Sequence, residues 1–130
     1  MLHPICRSVS NTVAAQAHEP NSGLIAMPDS FTIAYRLEII SLADHYRLPA
    51  VYPFRFFAEV GGLLSYGVDL VDNYRRVATY VDRILKGEKP SELPIQAPVK
   101  FELVINLKTA RALGLTVSPL LLARADEVIE

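Results

Sequence analysis

A single cysteine in 130 residues removes an intrachain disulfide from consideration. That residue, Cys6, has no base near it in sequence to activate its thiol and reads as a bland small side chain. Ile5, before it, is too bulky for a bacterial lipoprotein cleavage site. Charge of one sign is equally scarce. The 13 Lys and Arg stand against 14 Asp and Glu for a net −1, spread along the chain, so there is no electrostatic case for nucleic acid or an anionic membrane as partner. The longest apolar runs, at 103–105 and 120–123, fall far short of the ~18 residues that span a bilayer. The first residues, MLHPICRSVSNTVAAQA, end in an A-x-A-like triplet. No basic residue precedes their short apolar part and no continuous apolar core follows, so no secretory signal is expected.

Sites with a fixed spacing are missing too. Neither GxxxxGK[ST] nor GxGxxG occurs, so phosphate cradling is unsupported. His3, His18 and His45 show no i,i+4 spacing and no partner cysteine, so neither a metal site nor another cofactor is expected. Gly62-Leu63-Leu64-Ser65-Tyr66-Gly67 resembles the G-x-S-x-G nucleophile elbow, but it has one residue too many before the serine and a different strand placement. No catalytic residue is assigned, and the chain is not expected to be an enzyme.

What remains is a half-hydrophobic chain of one-domain length, able to bury about two-thirds of its unfolded surface. A weak helical pattern at 9–17 ends in the turn residues Glu19-Pro20-Asn21-Ser22-Gly23. The wholly apolar run 24–27 suits a strand buried on both faces. Asp29 and Ser30 cap a helix expected over 31–46. A second strand at 48–52 ends at Pro53, and a short helix at 54–60 stops at Gly61-Gly62. A third strand at 63–66 turns through Gly67-Val68-Asp69 into a helix over 70–86, with Asp69 as its N-cap and Gly87 as its stop. Apolar residues at 70, 74, 77, 78, 81, 84 and 85 of that helix demand one buried face. The segment 90–98 is an extended, proline-punctuated connector. A fourth strand alternates over 100–106, a brief helix at 108–113 ends at Gly114, and Pro119 opens a last helix to residue 130. Short apolar strands alternating with helices predict an α/β fold, an open parallel sheet flanked by helices. No internal repeat or low-complexity tract interrupts it.

In such sheets ligands sit beyond the carboxyl ends of the strands, where side chains and helix N-termini converge. Three predicted strands end in Asp29-Ser30, in Tyr52-Pro53-Phe54-Arg55 and in Ser65-Tyr66-Gly67-Val68-Asp69. That set suits a small polar ligand with an apolar part. Each residue also has a structural alternative: Asp29, Ser30 and Asp69 as helix caps, Tyr52 and Tyr66 as core rims, Arg55 as a solvated cation.

MPDSF at 27–31, RLPAVYPFRFF at 47–57, GGLLSYGVDLVDNYRRVATYVDRILKGEKPSELPIQAPVKFELVINLKTARALGL at 61–115 and LLARADEVIE at 121–130 together resemble a known family. They are similar to the C-terminal half of ABC-transporter substrate-binding proteins of the type I periplasmic-binding-protein fold, the group often linked to tryptophan and other aromatic amino acids. The resemblance covers about residues 19–130, and before it only a helix is shared. It implies a two-lobed receptor that clamps a small solute, such as an amino acid, between lobes joined by a hinge, and that works with a transporter permease. It implies no enzyme activity.

By this resemblance residues 1–22 form a weakly organised segment with a short helix, and 23–130 form the second lobe. Asp29, Ser30, Tyr52, Phe54, Ser65 and Tyr66 would face the cleft. Helix 69–86 and connector 87–99 would cross to a first lobe that this chain lacks. The resemblance implies a periplasmic location, whereas a truncated product without a signal would stay cytoplasmic. With its apolar stripe unseated, helix 69–86 is expected to make the chain a homo-oligomer. The alternative to solute capture is a truncated lobe acting as an oligomeric interaction fragment.

Overall fold

The computed structural model describes residues 4–130, with side chains from residue 9 onward; His3 and the side chain of Cys6 lie outside the described residues. Helix α1 spans Pro4–Ala17 and strand β1 Leu24–Ile25, followed by helices α2 (Ser30–Ala34) and α3 (Arg36–His45). Strand β2 (Ala50–Tyr52) leads to helix α4 (Arg55–Glu59), and strand β3 (Leu64–Val68) to the long helix α5 (Leu70–Leu85). A 3-10 turn at Pro90–Glu92 lies in the connector. Strand β4 (Phe101–Asn106), helices α6 (Leu107–Ala112) and α7 (Pro119–Leu122) and strand β5 (Glu127–Ile129) complete the chain.

The five strands form one sheet in the order β1-β2-β3-β4-β5. The α/β class holds, and β1, β2 and β3 run parallel, as do β4 and β5. The pair β3–β4 departs from the expected parallel sheet: it is antiparallel, with Leu64 opposite Ile105 and Val68 opposite Phe101. The cause is where the chain returns. After α5 and the connector it comes back beside the point it left. There the Asp69 N–H donates to the Lys100 carbonyl at 3.0 Å, and Lys100 Nζ donates to Asp69 Oδ2 at 2.6 Å. A strand that starts where its neighbour ended can only run backwards along it.

The other departures are confined to single elements. The expected helix 31–46 is two helices, broken at Tyr35 with φ −102° and ψ 24°. The expected last helix is only one turn. Beyond it Asp126 meets β4 through both its backbone N–H to Leu103 O at 2.9 Å and its carboxylate, which accepts from Leu103 N at 2.8 Å. Pairing with an open strand edge overrides helix propensity there. Strand β1 is not buried on both faces, because it is a sheet edge and Ile25 is 72% exposed. The helix limits set by Asp69, whose side chain accepts from Asp72 N, and by Gly87 at φ 101° agree with the sequence.

The core lies under α4. Phe57 stacks on Tyr52 with ring centroids 5.2 Å apart and on Phe56 at 5.0 Å. Tyr52, Phe57, Val104 and Ile105 are fully buried. A Cβ at Gly62 would lie 2.8 Å from both the Tyr52 ring and the Phe57 carbonyl, so only glycine lets the turn before β3 close over that ring. Asn106 fastens this turn region to β4: its amide donates to Ala58 O at 3.0 Å while its oxygen caps α6 at Thr109 N. Thr109 Oγ1 donates to Gly61 O at 2.8 Å.

Two substitutions in this core should differ sharply in their effect on stability. Phe57→Ala empties the most enclosed ring site and is expected to cost about 3–5 kcal/mol in urea unfolding. Ser65 is buried opposite Tyr52 in the sheet register, and among the described residues its Oγ has no hydrogen-bond partner. Ser65→Ala removes an unpaired buried hydroxyl, so it is expected to leave the unfolding midpoint unchanged or raise stability by up to about 1 kcal/mol. A clear loss on Ser65→Ala would contradict that assignment.

Candidate functional site

The carboxyl ends of β1, β2 and β3 and the first residue of β4 surround an open cavity of about 330 Å³. Strand β1 delivers Ile25 and the residues after it, Ala26, Met27 and Pro28. Strand β2 delivers Val51, Tyr52 and the following Pro53 and Phe54. Strand β3 delivers Tyr66, Gly67 and Val68, and β4 delivers Phe101. Tyr66 and Phe101 stand on the same face, because Val68 is paired with Phe101 and residues two apart on a strand share a face. Their rings stack at 5.9 Å with planes 20° apart, and each is about half exposed. Met27 is 67% exposed across from them. The lining contains no charged side chain.

Glycine is required at one point of this wall. A Cβ on Gly67 would lie 1.9 Å from the Pro53 carbonyl oxygen, so β3 approaches the end of β2 through bare backbone.

Of the residues singled out from sequence, Tyr52, Phe54 and Tyr66 line the cavity. The Tyr52 ring belongs to the core, and burial, reinforced by the charge of Asp44, pushes its hydroxyl well above the usual tyrosine range. Asp29 and Ser30 lie beyond the lining at the start of α2. Asp29 is the N-cap there, its carboxylate accepting from Phe31 N at 2.5 Å and Thr32 N at 3.1 Å. Ser65 points to the opposite face from Tyr66 and is buried. Arg55 is held at the α4 side of the sheet by Glu59 at 2.9 Å, Glu102 at 2.6 Å and Glu127. The hydrogen bond to Glu59 and the charges of Glu102 and Glu127 raise its pKa, so the guanidinium is committed to joining α4, β4 and β5.

Sequence reasoning missed Ile25, Met27 and Phe101. Phe101 could have been found only by knowing that β4 runs antiparallel, since a parallel β4 would carry its first residue to the other end of the sheet. Met27 comes two residues after the end of β1, as Phe54 comes two residues after the end of β2, a position that the strand-end rule covers.

A second apolar cavity, about 420 Å³, lies between α1 and α2–α3 against Val9, Phe31, Tyr35 and Leu42. No strand end reaches it. Among the described residues no group of His, Cys, Asp or Glu could hold a metal ion, and no helix is long and apolar enough to cross a membrane.

Comparison with known proteins gives these features a family. The family described as "ABC transporter substrate binding protein" matches residues 4–129, extending the similarity through α1. A conserved domain protein from Vibrio cholerae is 28% identical, with a TM-score of 0.84, over 95% of this chain and 41% of that one. An ABC domain from Streptococcus pneumonia, solved in complex with L-Trp, is 25% identical with a TM-score of 0.83, over 95% of this chain and 42% of that one. A ligand-free, open substrate binding protein with adhesive properties from Clostridium difficile shares the fold, with a TM-score of 0.64 at 14% identity over 41% of its length. The chain thus spans about two-fifths of these structures. A search of curated proteins gave no match. The chain belongs to the ABC transporter substrate binding protein family.

Proposed function

We propose that this chain supplies one side of the solute cleft of an ABC-type uptake system, holding the apolar part of a small solute such as an aromatic amino acid. The observation that carries the reading is the uncharged, ring-lined cavity at the strand ends, with Tyr66 and Phe101 stacked and half exposed on one wall and Met27 on the other. Aromatic faces prefer offset contact with another planar ring, worth about 0.5–1.5 kcal/mol beyond burial. The L-Trp in the streptococcal structure, at the same fold, supports a solute of that kind. Phe54 completes the wall. In this reading Asp29 and Ser30 stand at the rim beyond the lining, with the Asp29 carboxylate already engaged as the cap of α2, and Tyr52 backs the wall from the core.

In this reading residues 23–130 act as the second lobe, and 69–86 with 87–99 run towards the first. The two lobes close on the solute by a hinge, and the closed receptor delivers it to a membrane permease outside the cytoplasm. No group in the cavity is asked to do covalent chemistry. A second reading, an interaction lobe that self-associates through 69–86 without binding solute, is favoured by the unburied apolar stripe of α5.

Calorimetry with a panel of amino acids separates the two. One wall of a clamp lacks the enclosure that gives high affinity, so binding of aromatic members is expected near ~1 mM, about −4 kcal/mol. Tyr66→Ala should weaken it about fivefold, and Ser65→Ala should leave it unchanged. Equal responses to aromatic and charged amino acids, or silence across the panel, would remove the first reading.

A further inference from the structure

Between α5 and the connector lies a small depression of about 140 Å³ that the solute reading does not use. The helix contributes Arg76, Thr79, Tyr80 and Arg83 to it, and the connector contributes Gln96. At about 100° per residue those four helix positions share one side of α5, and the apolar positions 70, 74, 77, 81 and 85 share the other. Whatever seats on the apolar stripe therefore approaches from the far side, and both walls of the depression belong to this chain. The connector is fastened at this point, because the Tyr80 hydroxyl donates to Pro94 O at 2.5 Å, two residues before Gln96.

The two arginines are laid against the connector instead of spreading into water. Their side chains are 38% and 40% exposed, whereas Arg75 and Lys86 on the same helix are both 73% exposed. Each is steadied by one carboxylate at its Nε: Asp72 at 3.4 Å from Arg76, and Glu88 at 2.6 Å from Arg83. Glu88 is fixed in turn by its own N–H, which donates to Arg83 O at 3.1 Å. A guanidinium held at Nε keeps its terminal nitrogens as donors. Asp72 also faces Arg75, at 3.9 Å, so three guanidinium groups share two carboxylates and one positive charge is left over. No carboxylate lines the depression. What converges on it are guanidinium, hydroxyl and amide groups, a set suited to an oxyanion. A carboxylate offers its two acceptors in one plane. Two forks set two helical turns apart call for acceptors that face both ways, which a tetrahedral phosphate group supplies.

We propose that this depression binds a soluble phosphate group, held between Arg76 and Arg83 with the Thr79 hydroxyl and the Gln96 amide as neutral donors. A net charge of −1 gives the chain no general attraction to an anionic membrane, so the ligand comes from solution. The site is separate from the strand-end cavity, and neither reading depends on the other.

NMR of the full chain titrated with inorganic phosphate at constant ionic strength tests it. The side-chain Nε–H signals of Arg76 and Arg83 are expected to shift saturably, with half the effect at ~1–10 mM, as suits an open site with two charged anchors. Replacing both, Arg76→Gln with Arg83→Gln, should weaken binding at least about tenfold with far-UV circular dichroism unchanged. Arg76→Gln alone should weaken it about threefold. Arg75→Gln removes the same charge one residue away but outside the depression, and should change affinity less than about 1.5-fold. Tyr80→Phe, which releases the connector, should weaken binding severalfold. Shifts that stay linear to ~50 mM, or equal losses from Arg75→Gln and Arg76→Gln, reduce the effect to general screening and overturn the proposal. Flotation with vesicles of anionic phospholipid that depends on Arg76 and Arg83 would overturn the soluble source. Calorimetry with amino acids on the double variant reads the strand-end cavity separately, and a lost solute response there, with the fold intact, would contradict the independence of the two sites.

Discussion

Asp69 and Lys100 hold the departure and the return of the chain side by side, and much of the molecule follows from that contact. The Lys100 ammonium, and then the Asp72 N–H that Asp69 caps, draw the Asp69 carboxyl below the usual carboxylate range. One side chain therefore starts α5 and fixes the first residue of β4. Because β4 begins there, it runs against β3, brings Phe101 back to the strand ends beside Tyr66, and carries Asn106 to the opposite end to lock the Gly61-Gly62 turn. The pair lies at the surface, with the Lys100 side chain exposed, and so contributes little to global stability. Its effect is geometric, since it selects one direction for a strand that propensity alone leaves free.

The same topology explains the chemistry of the cavity. Polar groups near the strand ends are occupied elsewhere: Asp29 and Asp69 cap helices, and Arg55 binds three carboxylates. What is left facing the opening is apolar and aromatic. A wall of this kind gains from removing ring surface from water but offers little to orient a charged amino or carboxylate group. A solute carrying such groups would have to find their partners outside this wall. Gly67 sharpens the point, because its missing Cβ lets β3 lie against Pro53 and keeps the floor between Phe54 and Tyr66 free of side chains.

The local elements were legible in sequence where their signals were self-contained. Asp69, the 3–4 spacing of α5 and Gly87 specify a helix without reference to anything distant, and its observed limits are Leu70–Leu85. The strands at Ala50–Tyr52 and Leu64–Val68, bounded by proline and glycine, were equally clear. What failed depended on partners far along the chain. The strand Glu127–Ile129 looks helical until the edge of β4 is there to pair with it. For the site, the strand-end rule found Tyr66 and Phe54. It also picked Ser65, which lies outside the lining, because without the register no reading of SYG tells which of two alternating side chains faces the core.

Helix α5 shows the limit of local specification. Sixteen residues are barely enough for an isolated helix in water, and α5 buries none of its side chains. Its coherence rests on the Asp69 cap and on ion pairs one turn apart, such as Asp72–Arg76 and Asp82–Lys86, each worth a few tenths of a kcal/mol. Its stripe, by contrast, offers several kcal/mol at about 25 cal/mol per Å² once water is excluded from it. An element made stable enough to form alone, yet gaining most when covered, keeps its shape while its contacts change.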